Sequence, residues 1–122
     1  MAQILVVEDN PMNMELAVDL LETYGYEVTP AEDGFEAIER VKETKFDLIL
    51  LDMQLPGMNG PEVLERLKAD PATSAVPPVV ALTAHAMSGD AARFIEAGCA
   101  GYISKPIDVH QFKSEVAQYL GE

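Results

Sequence analysis

The chain has 122 residues, which suits a single domain spanning 1–122 and leaves little room for a second. Its 8 basic and 21 acidic residues give a net charge of −13, without the clustered Lys and Arg that a nucleic-acid surface needs, so direct nucleic-acid binding is not expected. The apolar runs are too short to span a bilayer, and Met-Ala-Gln enters a strand pattern with no basic flank or cleavable apolar region; the reading is therefore no membrane partner, no secretory signal and a cytoplasmic location.

In chain order, residues 3–8 read as a strand. Asn10 looks like an N-cap with Pro11 at the first helical position. Leu16, Ala17, Leu20, Leu21 and Tyr24 recur at helical spacing until Gly25. Residues 26–31 form a short second strand. Asp33 and Glu36 resemble a capping box opening a second helix, with Ala37, Ile38 and Val41 inward.

Residues 46–51 are apolar throughout, as in a strand covered on both faces. Pro56, Gly57, Asn59 and Gly60 then mark a loop. Pro61 starts a helix through Val63, Leu64 and Leu67 that ends before Pro71. Residues 79–82 are the fourth strand. A weaker helical pattern over roughly 87–97 carries Phe94 and Ile95 and closes at Gly98. Cys99 is the lone cysteine, which excludes an internal disulfide and fits plain packing. Residues 101–104 are the fifth strand. Asp108 with Gln111 is expected to cap a last helix, with Phe112, Val116 and Tyr119 inward and His110 at its surface.

This alternation predicts an α/β fold, a doubly wound five-stranded parallel sheet with five helices. Such sheets place their sites beyond the carboxyl ends of the strands. The residues ending the runs are Glu8-Asp9, Asp52, Thr83 and Lys105-Pro106. Glu8, Asp9 and Asp52 meet only if the first and third strands are neighbours. On their own, Glu8 and Asp9 would simply cap a helix. Three close carboxylates repel one another unless a cation joins them, and a hard divalent ion such as Mg²⁺ suits oxygen ligands. Asp52, on a rigid strand end beside a metal, is a candidate nucleophile toward phosphorus. Lys105 would neutralise charge from the other side, and Thr83 would donate its hydroxyl to a phosphoryl oxygen. The Lys105-Pro106 bond is expected to be cis, turning the ammonium inward.

Those residues, in that order and spacing, resemble the receiver domain of two-component response regulators. The loop Asp52-Met53-Gln54-Leu55-Pro56-Gly57-Met58-Asn59-Gly60 is similar to the family's loop after its phosphorylated aspartate, and the resemblance covers essentially the whole chain. It implies the flavodoxin-like receiver fold, with strand order 2-1-3-4-5. It implies that Asp52 accepts a phosphoryl group from a histidine of a sensor kinase or phosphotransfer protein. Glu8, Asp9, Asp52 and the backbone carbonyl of Gln54 would hold Mg²⁺. Thr83 would move toward the phosphate and Tyr102 would change rotamer with it, switching the face of the fourth helix, fifth strand and fifth helix toward a downstream protein.

The stretch from Val7 to Leu16 is most similar to receivers of phosphorelays, those of hybrid kinases and the single-domain cell-division and polarity regulators. There the first helix docks on the phosphotransfer helices, for which Met12, Met14 and Leu16 offer apolar contacts, unless they face the core. Gln54 and His85 would flank the acyl phosphate and influence attack by water.

A haloacid-dehalogenase-type phosphatase shares a strand-end Asp and Mg²⁺ but needs a second Asp two residues later, where this chain has Gln54. A phosphoacceptor without substrate turnover is therefore expected rather than an enzyme. A receiver cut from a hybrid kinase or larger regulator is the alternative. The ends of the chain, an initial Met and a stop just past the last helix, modestly favour a stand-alone regulator.

Overall fold

The computed structural model describes residues 2–84 and 90–121, without the side chains of residues 90 and 91. The strands are β1 (Gln3–Val7), β2 (Glu27–Ala31), β3 (Leu48–Asp52), β4 (Val79–Thr83) and β5 (Gly101–Ser104). The helices are α1 (Pro11–Thr23), α2 (Gly34–Glu43), α3 (Gly60–Ala69), α4 (Asp90–Glu96) and α5 (Phe112–Leu120). One parallel sheet runs in the order β2-β1-β3-β4-β5, as the resemblance implied.

Side chains alternate across each strand, so one sequence run feeds two cores. Leu5, Val7, Ile49, Leu51 and Ala81 pack with Ala37 of α2 and Val63, Leu64 and Leu67 of α3. Ile4, Val6, Leu48, Leu50, Leu82 and Ile103 pack with Ala17 and Leu21 of α1 and Phe112 and Val116 of α5. Covering both faces is why β3 and β4 contain no exposed position. Cys99 is buried in the first core, and burial pushes its thiol up to about 11, which keeps it a packing residue.

The caps follow the sequence closely at two helices. Asn10 Oδ1 accepts the Met12 and Asn13 N–H groups with Pro11 beside it, and Asp33 Oδ1 accepts the Glu36 N–H. Asn59 caps α3 through the Glu62 N–H, so that helix starts at Gly60, one residue before the expected Pro61.

Other boundaries move. β1 stops at Val7 rather than at residue 8, and β2 begins at Glu27 rather than at 26. β3 spans 48–52 instead of 46–51. Phe46 is core packing outside the ladder, and Asp52 remains in it opposite Leu82. Asp108 does not cap α5. Its carboxylate accepts the His110 N–H and its carbonyl the Gln111 and Phe112 N–H groups, making a turn before the helix, with exposed His110 in that turn. In α4, Phe94 packs inward but Ile95 is exposed, and residues 87–89 of the expected helix lie outside the described residues. Gly101 leaves room for Tyr119, whose ring a Cβ there would strike at 2.6 Å.

Candidate functional site

The sheet order brings the strand-end residues together. Val7 pairs with Leu51, so the next residues, Glu8 and Asp52, stand side by side at the rim. Asp52 pairs with Leu82 and Thr83 with Ser104, which sets Thr83 and Lys105 on the other side of Asp52. Glu8 and Asp52 are each 3 % exposed and Thr83 2 %, whereas Asp9 is open to solvent.

The two buried carboxylates are held alike. Asp52 Oδ1 accepts the Gln54 N–H at 2.9 Å, and Glu8 Oε1 accepts the Asn10 N–H at 3.1 Å. Their other oxygens share one cation: Lys105 Nζ lies 2.7 Å from Glu8 Oε2 and 2.9 Å from Asp52 Oδ2. The Lys105 ammonium is the one partner of Glu8 Oε2 among the described residues.

Burial raises the Glu8 pKa, and the neighbouring Asp52 charge adds to the rise, while Lys105 and the Asn10 N–H oppose it. Burial alone would lower the Lys105 pKa. Its contacts with Glu8 and Asp52 outweigh that, and the ammonium is held above its ordinary value.

Two local devices hold this geometry. The Lys105 N–H donates to the Thr83 carbonyl at 2.8 Å, tying the end of β5 to β4, and the Lys105-Pro106 bond is cis. The Gly60 N–H donates to the Met53 carbonyl at 3.3 Å, and a Cβ on Gly60 would meet Met53 Cα at 2.8 Å. The loop after Asp52 closes on α3 only because residue 60 lacks a side chain. Sequence reasoning treated Gly60 merely as a turn former, and no local pattern showed which backbone it would face.

Glu8, Asp9 and Asp52 each offer an oxygen within 4.8 Å of the others. Three hard anionic donors, one of them open to solvent, fit a small divalent cation with remaining water ligands. Exposed Gln54 lines a cavity of about 370 Å³ with Met53, Asn59, Thr83, Arg93 and Phe94 beside this cluster. Tyr102 is 40 % exposed on the edge strand and is not part of the charged cluster. His85 lies outside the described residues.

The sequence profile of the response regulator receiver domain matches residues 4–117. The chain belongs to the response regulator receiver family. It is 45 % identical over 119 residues to the polar-differentiation response regulator DivK of Brucella anthropi, covering 98 % of this chain and 96 % of that protein. DivK of Brucella ovis gives the same identity and coverage.

Among solved structures it resembles the receiver domain of the sensor histidine kinase PA1611 from Pseudomonas aeruginosa, which carries magnesium in its active-site cleft. That match has a TM-score of 0.87, 31 % identity, and coverage of 99 % and 98 % of the two chains. It also resembles a chain of the Saccharomyces cerevisiae complex between the phosphotransfer protein Ypd1 and the receiver domain of Ssk1, with a TM-score of 0.87, 26 % identity, and coverage of 97 % and 88 %. The receiver is thus a phosphoacceptor module of two-component signalling.

Proposed function

We propose that Asp52 is the phosphoacceptor, and the observation that carries this is its buried carboxylate, fixed between the Gln54 N–H and the Lys105 ammonium beside two further carboxylates. An Asp52 oxygen attacks the phosphorus of a phosphohistidine. The new O–P bond forms as the P–N bond breaks, and the leaving imidazole takes up a proton. Glu8, Asp9, Asp52 and the Gln54 carbonyl would hold Mg²⁺, which would supply charge neutralisation at the phosphoryl oxygens.

Lys105 trades its carboxylate partner for a phosphoryl oxygen, and the Thr83 hydroxyl donates to another. These two shifts, followed by a rotamer change at exposed Tyr102, alter the face formed by α4, β5 and α5, which addresses a downstream protein. The Gln54 amide is neither a general acid nor a general base, so nothing at that position promotes turnover of the acyl phosphate, and the chain is a switch with only self-phosphorylation and self-dephosphorylation chemistry.

The donor is a sensor kinase or a histidine phosphotransfer protein, a reading supported by the likeness to a chain of the Ypd1–Ssk1 complex. Its place is the cytoplasm; no helix of the described residues is long and apolar enough to cross a membrane. The whole of 1–122 acts as one receiver unit. A receiver belonging to a larger kinase is the second reading, favoured by the likeness to the PA1611 receiver.

The test is to incubate the protein with Mg²⁺ and acetyl phosphate and weigh it. A gain of one phosphoryl group, absent with chelator and in Asp52→Asn, is expected. No gain, or a gain that survives Asp52→Asn, overturns the assignment.

A further inference from the structure

Helices α3 and α4 cover the same face of the sheet but are held differently. Val63, Leu64 and Leu67 of α3 are buried in the first core, Asn59 caps its start, and Gly60 sits against the Met53 backbone. Among the described side chains of α4, Phe94 packs against that core, with Ala97 just past the helix, while Ala92 and Ile95 are exposed.

Open space separates the two helices. The cavity of about 370 Å³ beside the acceptor cluster and a second of about 500 Å³, lined by Glu65, Lys68 and Ala69, both have Pro61 and Ala97 as walls. One cleft therefore runs from Gln54 and Thr83 to Lys68. A helix with an unfilled cleft along its side can shift without breaking close core packing.

The carboxyl end of α4 is nevertheless closed. Gly98, at φ +110°, lets the Cys99 N–H donate to the Phe94 carbonyl and its own N–H to the Ile95 carbonyl, both at 3.0 Å, in the Schellman pattern. The Ala97 carbonyl, outside that pattern, accepts Lys68 Nζ at 3.3 Å across the cleft. A Cβ at residue 98 would fall on this ammonium, so the glycine also clears its path. The charge is felt further in, where burial raises the Cys99 thiol pKa and Lys68 opposes the rise. Arg40, Lys42, Arg66 and Lys105 each meet a carboxylate, whereas Lys68 forms no ion pair among the described residues of a chain with 21 acidic groups. Its ammonium goes instead to the carbonyl end of a neighbouring helix, where the helix dipole favours a cation.

We propose that Lys68 is a strap fixing the carboxyl end of α4 to α3, so that α4 turns about Gly98 and only its acceptor-side end responds to phosphorylation. Because α4 follows β4, its amino end lies on the side of Thr83, and the cleft gives that end room to move. Lys68 touches no reacting group; it is a positioning residue. The trigger rests on the phosphoacceptor reading, but the strap does not.

The test is amide hydrogen exchange, read residue by residue by NMR, in wild type and three variants. Lys68→Met keeps the stem and removes the charge, Lys68→Arg restores a donor, and Lys45→Met removes an exposed charge elsewhere. Without phosphodonor, the Gly98 and Cys99 amides of Lys68→Met are expected to exchange roughly fivefold faster than in wild type. Lys68→Arg should stay within about twofold of wild type, and Lys45→Met should match it. With Mg²⁺ and acetyl phosphate, exchange in wild type is expected to change at Phe94 and Ile95 but not at Gly98 and Cys99. In Lys68→Met the change should spread to all four.

Wild-type exchange at Gly98 and Cys99 in Lys68→Met overturns the strap, as does an equal acceleration in Lys45→Met. A change at Gly98 and Cys99 when wild type is phosphorylated overturns the fixed pivot. If acetyl phosphate labels no form, the phosphoacceptor reading falls, and the comparison without phosphodonor still decides the strap.

Discussion

The two ends of the sheet treat charge in opposite ways. Beyond the carboxyl ends of the strands, Glu8 and Asp52 are buried, and one ammonium meets both within 2.9 Å. Near the amino ends, Lys42 and Asp70 face each other at 3.8 Å with both side chains well exposed, and the Gln3 N–H binds the exposed Asp47 carboxylate. Water already solvates the second set, so it contributes little to stability and asks nothing of its neighbours. The first set bears the cost of desolvation and persists because its charges satisfy one another. Packing alone does not call for buried like charges; the cation and phosphoryl group proposed for this site would use them.

The strongest way to break this contrast is to remove the acceptor. Asp52→Asn is expected to abolish labelling by acetyl phosphate, at least a hundredfold loss by mass spectrometry, while circular dichroism shows the fold intact. Labelling that persists would move the chemistry off the buried pair.

Removing the shared cation comes next. Lys105→Ala leaves Glu8 buried without its partner and is expected to cost about 3 kcal/mol in urea unfolding of the metal-free protein. Added Mg²⁺ should still bind and recover part of that loss. Phosphorylation of this variant should no longer change the α4–β5–α5 face, which amide exchange would read.

The same pair gives the pH dependence. The Lys105 pKa is raised on folding, so its stabilisation is complete below the ordinary value of 10.5 and is lost as pH rises through the higher folded value. The gap in stability between wild type and Lys105→Ala should stay level from about neutral pH to 10.5 and narrow above it. A gap that narrows between pH 7 and 9 would mean that the ammonium is not held by the two carboxylates.

Smaller in free energy is the loop that carries Gln54. Gly60→Ala must push Met53 backbone aside, and a cost of about 2 kcal/mol with slower labelling is expected. At the bottom of the scale, Arg40→Ala removes an exposed pair with Glu43 and should change stability by less than about 0.5 kcal/mol. A loss comparable to that of Lys105→Ala would erase the distinction between exposed and buried charge.

Much of this was legible along the chain. Five apolar runs separated by helical spacing gave the sheet and its helices, because side-chain periodicity is a local property that burial on one or two faces imposes directly. Asn10 and Asp33 were readable as caps for the same reason, since each satisfies N–H groups two or three residues away. Asp108 misled because an Asx turn and a helix cap use the same short carboxylate, and only the backbone beyond it decides between them.

What the sequence alone determined was the set of elements and the residues that end each strand. Tertiary structure decided how those residues divide their roles. Adjacency of β1 and β3 brought Glu8 beside Asp52, left Asp9 in solvent, and let Lys105 reach both buried carboxylates from a residue 97 positions after Glu8 and 53 after Asp52 in the chain. Distances of that kind follow from strand order and register, which no local run of residues encodes.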